Sequence, residues 1–231
     1  MAIYLIVLLC VLNHAAFTGS RVVISLYAID LGANSFAIGA LVALYALCPL
    51  LLAIYAGKLI DRVGARLPML AGTSGVMLGL VLPLVLPGLP ALYATALLLG
   101  ASFMFFFVAV QGVTGAVGSA QERGRNYSLL SIGFSVASFL GPLIAGFSID
   151  HLGFRNALLV LSGCIVLSLL AQWWRAQWIP RPSRNPGKDG TQSVMDLLRI
   201  PALRRTFIAS GFLSGAWDLY NFYLPVYGHA V

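Results

Sequence analysis

Two ionisable residues stand inside apolar runs where a bilayer would make them costly. Arg21 follows His14 by seven positions with Thr18 between, and residues at i, i+4 and i+7 share one helix face, so the three form a polar stripe. Asp218 lies near the middle of a later run, one turn from Asn221 and flanked by Trp217 and Tyr220. A charge at the bilayer centre costs about 2.5 to 3.5 kcal/mol even on the mildest insertion scale, so such groups face protein or a water-filled cavity. Two readings of Arg21 stand: a cation that binds an anionic group or modulates a nearby acid, and a side chain that snorkels to the outer headgroups. Asp218 is too short to snorkel, which makes it the better candidate for carrying a proton across, alone or paired with Arg21.

A second pattern is a charged turn written twice. "GKLIDRVGAR" at 57–66 is matched by "GFSIDHLGFR" at 146–155, with Gly57, Ile60, Asp61, Gly64 and Arg66 answered by Gly146, Ile149, Asp150, Gly153 and Arg155. Each copy follows a long apolar run. Glycines at these places permit a tight turn and close helix approach, and an acid with arginines at a helix end can build a charge network.

The elements that must position these residues follow from composition. Of 231 residues 60% are hydrophobic and only 9% charged, with a mean hydropathy of +0.92. That leaves too little polar surface for a water-soluble globule. Seven runs are long enough to span, near 3–29, 36–57, 67–87, 90–118, 127–149, 154–174 and 206–228. They are too long and too uniformly apolar for barrel strands, so the expected fold is an all-α polytopic bundle. The first run lacks a basic leader and a small-x-small cleavage site, so it is kept as a helix rather than a signal peptide.

Lys58, Arg62 and Arg66, then Arg123 and Arg125, then the basic residues from Arg175 to Arg205 fall in alternate connections. With the N-terminus inside, 12 of the 14 Lys and Arg are cytoplasmic, as the positive-inside rule requires. The formal charge of +7 is then a topology signal, and its scatter over short loops excludes a nucleic-acid surface. Cys10, Cys48 and Cys164 lie within apolar runs as small buried hydrophobes, and neither they nor His14, His151 and His229 have metal-ligand spacing. No phosphate-binding G-x-x-x-x-G-K-[ST] loop is present, so direct nucleotide drive is unsupported. Three spans separate the two charged turns, an odd number, which gives the copies opposite topology and suggests an inverted three-plus-three repeat.

At Gly57 to Arg66 the chain resembles the major facilitator superfamily (MFS), whose loop after the second helix reads G-x-L-x-D-R-x-G-R/K-R/K. Ala65 departs from it, standing where a basic residue is usual. Ser128, Ala137, Gly141, Pro142, Ala145 and Gly146 fall at the spacing of the family's antiporter pattern G-x8-G-x3-G-P-x2-G-G, with small residues replacing three glycines. Gln111 and Gly112 match part of R-x-x-Q-G, but Val108 occupies the arginine position, which puts that route of proton coupling in doubt.

The resemblance implies two six-helix halves around a central path, each half two inverted three-helix repeats, with Gly57, Asp61, Arg62, Gly64 and Arg66 as a cytoplasmic gate. It implies proton-coupled efflux of a small organic solute, no enzymatic activity, no cofactor beyond the proton gradient, and residence in a plasma (bacterial inner) membrane. His14, Arg21, Gln111, Asp218 and Asn221 are the candidate cavity and coupling residues. The expected domains are a six-helix bundle at 1–174, a basic cytoplasmic linker with a short interfacial helix at 175–205, and a seventh helix at 206–231. A complete member has twelve helices, so the expected partners are the bilayer, the solute and a missing C-terminal half.

Other classes fare worse. A seven-span receptor would put the N-terminus outside, against the charge bias. "GTSG" at 72–75 has the form of a rhomboid protease nucleophile site, but no histidine is placed to act as base, and Gly72, Gly75 and Gly79 suit a close-packing helix face. A half-transporter acting as a membrane adaptor remains the alternative.

Overall fold

The computed structural model describes residues 2–174, 200–201, 203–213 and 216. Two compact units are present, Met1–Pro182 and Ser183–Val231.

Within the first unit the chain runs through α1 (Ala2–Asp30), α2 (Ser35–Val63), α3 (Arg66–Val85), α4 (Leu89–Ala116) and α5 (Arg123–Trp174). Small, turn-forming residues punctuate them. Asn34 caps α2 by accepting a 2.9 Å hydrogen bond from the Ala37 N–H, satisfying one of the orphan donors of the first turn. Ser119 and Glu122 form a reciprocal capping box ahead of α5. Gly64 and Gly153 adopt φ of 82° and 79°, a region closed to most side chains.

Gly153 does more than bend α5. Along α1, Gly133 packs beside Val7 and Gly141 beside Ala15 and Thr18, so the first arm of α5 (123–152) runs parallel to α1. The second arm (154–174) runs back: Phe154 stacks on Tyr27, Leu161 approaches Gly19, and Ser168 bonds Asn13. The same logic makes α3 and α4 antiparallel, since Gly72, Gly75 and Gly79 meet Phe106, Ser102 and Leu99 in turn. Among the described residues six spans result, each running opposite to the one before it in the chain. The turns at Gly64 and Gly153 therefore sit at opposite ends of the bundle, as an inverted repeat requires.

The helices approach closely where glycine allows it. A Cβ at Gly72 would lie 2.7 Å from the Ser102 carbonyl oxygen, and one at Gly100 would lie 2.7 Å from that of Tyr45. The GTSG stretch is thus a packing face, as its glycine spacing predicted, and Ser74 is exposed. Without a hydrophobic drive between helices in lipid, this proximity is what holds them. Large apolar side chains such as Leu50, Phe139 and Trp173 point outward, the arrangement of a protein whose outer solvent is hydrocarbon.

Seven spans were expected; the described residues contain six of membrane length, counting the two arms of α5. Residues 203–213 of the second unit are helical, with the Arg204 N–H bonded to the Ile200 carbonyl at 3.0 Å. They cover the start of the expected seventh span. The rest of that span apart from Ala216, with Asp218 and Asn221, and residues 175–199 of the expected 175–205 linker lie outside the described residues.

Candidate functional site

The polar stripe of α1 opens into an aromatic cluster. His14 is half-buried, its Nε2 3.1 Å from the Ser138 hydroxyl of the first arm of α5. Around its ring stand Phe103 of α4 at 5.3 Å, Phe134 of α5 at 5.0 Å edge-on, and Phe17 one turn along α1 at 6.3 Å. Phe17 and Phe103 stack face to face at 4.1 Å, so the cluster locks α1 to α4. The Nδ1 atom of His14 is buried and has no hydrogen-bond partner among the described residues. A buried polar atom left unpaired is uncommon and calls for an explanation in structure or function.

Arg21 joins the same cluster. Its guanidinium carbon lies 5.4 Å from the Phe17 ring centre and 5.3 Å from that of Tyr45, contacts worth roughly 0.5 to 2 kcal/mol each depending on exposure. Of the two postures open to it from sequence, the structure has the side chain turned back along α1 over these rings. Tyr45 is held from behind by the Ser20 hydroxyl at 3.2 Å. Thr18, the middle of the stripe, donates instead to the His14 carbonyl at 2.9 Å, which leaves it a helix-stapling role. The arrangement combines flat apolar faces, a cation and an unpartnered imidazole nitrogen. Phe17, Phe103 and Tyr45 are buried against one another, so the part of the cluster open to a ligand is the half-buried edge at His14 and Phe134.

The remaining expected residues disperse. Gln111 is half-buried on α4, and its backbone carbonyl accepts a 3.2 Å hydrogen bond from the Tyr127 hydroxyl. Asp61, Arg62 and Arg66 are exposed around the Gly64 turn, and among the described residues the sole ion pair is Arg125 with Glu122 at 2.8 Å. The turn is thus formed while its charges face outward. Asp150 and Arg155 are likewise exposed beside Gly153. Of the antiporter-like positions, Gly141 is buried where a Cβ would lie 2.9 Å from the Gly19 backbone nitrogen, whereas Gly146 has open space around it. Pro142 is half-buried in the first arm of α5.

A second polar cluster has no counterpart in the sequence reading. Asn13 donates to Ser168 at 2.6 Å; Gln172 donates to Ser168 at 3.1 Å and to Thr73 at 2.8 Å. All four are buried, joining α1, α3 and the second arm of α5. The signal was present as polar residues in three apolar runs, but only the pairing of depths reveals it. Among the described residues no group of three His, Cys, Asp or Glu could hold a metal.

Outside the spans, Glu122 accepts a 3.0 Å hydrogen bond from the Ser119 N–H and a 2.8 Å one from Arg125. First that N–H and then the guanidinium hold its carboxyl below the usual carboxylate range.

Comparison with known proteins adds a family and two relatives. The sequence profile of the Major Facilitator Superfamily matches residues 6–231. The class C tetracycline resistance protein of Escherichia coli is 34% identical over 116 residues, covering 47% of this chain and 27% of that protein. The class B tetracycline resistance protein of Escherichia coli is 34% identical over 124 residues, 50% of this chain and 28% of that one. The aligned region is thus about half of this chain and little more than a quarter of either relative.

Proposed function

Because the chain belongs to the Major Facilitator Superfamily, an integral membrane transporter family rather than an enzyme family, we propose that it serves proton-linked efflux of a small, planar, amphipathic solute, working with a second half. The observation that carries this reading is the His14 cluster: an aromatic surface bearing an imidazole with one unpartnered nitrogen and a guanidinium over two rings. Two relatives carry tetracycline resistance in their names, and a fused-ring, multiply oxygenated solute suits such a surface.

The direction of transport rests on those relatives and on the Gly141–Pro142 segment. Asp218 and His14 are the proposed proton carriers, since Val108 replaces the arginine expected on α4. The proposed topology puts the N-terminus and the Gly64 turn in the cytoplasm, and the proposed division places residues 1–174, 175–205 and 206–231 as bundle, linker and seventh helix.

The test is tetracycline accumulation in cells lacking other exporters, with the chain expressed alone and together with a C-terminal half from a tetracycline-resistance relative. Lowered accumulation that a protonophore abolishes and that Arg21→Gln or Asp218→Asn removes supports the reading. Unchanged accumulation in both settings, with the protein present in the membrane, rejects it. Labelling of single cysteines at Asn34 and Lys58 from each side of the membrane tests the orientation. Outside labelling of Asn34→Cys alone is the expected pattern.

A further inference from the structure

We propose that a pocket at the Gly153 end of the bundle, away from the His14 cluster, binds the phosphate headgroup of an anionic phospholipid. The pocket is about 330 Å³ and is lined by Tyr27 of α1, Leu84 and Pro87 at the end of α3, and Phe154, Arg155 and Leu158 of the second arm of α5. That volume is at the low end for small-ligand sites, large enough for a headgroup and its glycerol.

The lining matches an amphiphilic anion. Tyr27 and Phe154 stack at 5.3 Å with 23° between their planes, forming one apolar wall; the leucines and proline extend it. Arg155 supplies the only charge among the described residues of the lining. It is exposed and forms no ion pair among the described residues, although Asp30 and Asp150 end helices at the same side of the bundle. A guanidinium offers paired donors that fit a phosphate better than a point charge would. The Tyr27 hydroxyl, which also makes no hydrogen bond among the described residues, is a second donor.

Depth selects the lipid over a soluble anion. Tyr27 stands three residues from the end of α1, Pro87 just beyond the end of α3, and Arg155 two residues after the Gly153 reversal. Helix ends in a spanning bundle lie at headgroup level, where aromatic rings and basic pockets between helices meet lipid phosphates. The connections at this end, 31–34, 86–88 and 150–155, carry no other Lys or Arg. Arg155 is therefore not one member of a basic anchoring cluster, and a private ligand accounts for its place.

Native mass spectrometry of the purified full chain, equilibrated with phosphatidylglycerol in mild detergent, tests the site. Wild type is expected to retain a phosphatidylglycerol adduct. Arg155→Gln, a surface change that leaves packing intact, is expected to reduce it roughly tenfold, the scale of one lost charge-assisted contact. Leu84→Trp, which fills the pocket and keeps the arginine, is expected to reduce it as much. Equal retention by all three proteins overturns the proposal, as does loss in Arg155→Gln with full retention in Leu84→Trp. Glycerol 3-phosphate carries the head without the chains. Weak competition by it supports the lipid assignment, and competition equal to that of the lipid overturns it in favour of a soluble phosphate. None of these outcomes depends on transport, so the site stands or falls apart from the efflux reading.

Discussion

Gly19 of α1 and Gly141 of α5 face each other across a close crossing: a Cβ on Gly19 would lie 2.7 Å from the Gly141 carbonyl oxygen. A Cβ on Gly141 would meet the Thr18 hydroxyl and, behind it, the Ala15 carbonyl and the Gly19 nitrogen, so turning the threonine aside would still leave backbone in the way. Gly141→Ala is expected to destabilise the bundle by roughly 1 to 3 kcal/mol, the usual cost of overpacking. Gly146→Ala, five residues on in open space, is expected to be neutral or to gain up to about 1 kcal/mol from helix propensity. Thermal unfolding of the two variants in detergent measures both, and equal losses would mean that the two glycines share a role other than helix approach.

The repeated turn makes a paired prediction. Gly64 has φ 82° and ψ 168°, and Gly153 has φ 79° and ψ 170°. Alanine in that region costs on the order of 1 to 3 kcal/mol. Gly64→Ala and Gly153→Ala should therefore lower the midpoint of thermal unfolding by similar amounts. A large loss at one and none at the other would show that the two turns are alike in sequence only.

The buried Asn13–Ser168 hydrogen bond is a third target. Interhelical hydrogen bonds in membrane bundles couple by about 0.6 kcal/mol on average, with a maximum near 1.7. Asn13→Ala, Ser168→Ala and their combination should yield a coupling energy within that range in a double-mutant cycle. Strict additivity would mean that the bond contributes nothing to the fold.

Glu122 links stability to pH. Its folded carboxyl is held below the ordinary range, so its contribution is present above the unfolded-state pKa and is lost as pH falls through the folded value. Glu122→Gln is expected to melt earlier than wild type at neutral pH. The gap should close in strong acid, where wild type also carries a neutral side chain. A gap that persists unchanged into acid would assign the difference to packing.

Much of this architecture was legible because connections in a membrane protein are short and written in Gly, Pro, Asn and charge. Gly64 and Gly153 marked turns that the structure makes, and the Gly72–Gly75–Gly79 spacing marked the face that meets α4. The His14 cluster was legible only in part. His14 and Arg21 are conspicuous against an apolar background, but Phe103 and Phe134 are not, since in hydrocarbon an inward phenylalanine and an outward one satisfy the same solvent. Phe103 stands among Phe105, Phe106 and Phe107, and no periodic polar face says which ring turns inward. The Asn13–Ser168–Gln172–Thr73 cluster failed for another reason: hydroxyls and amides in a span can satisfy themselves on their own helix, as Thr73 also does with the Met69 carbonyl. Only the fold distinguishes that from a bridge between helices.

That bridge has a consequence for the order of synthesis. Asn13 and Thr73 leave the ribosome with the first three helices, while Ser168 and Gln172 arrive with the last helix of the six. Until then the Asn13 amide nitrogen has the Leu9 carbonyl of its own helix as its partner, and the Ser168 hydroxyl is added only when the second arm of α5 arrives. The α1 helix thus gains this interhelical hydrogen bond only once the second arm of α5 has been inserted, and the depth of Asn13 must wait for the returning helix to match it.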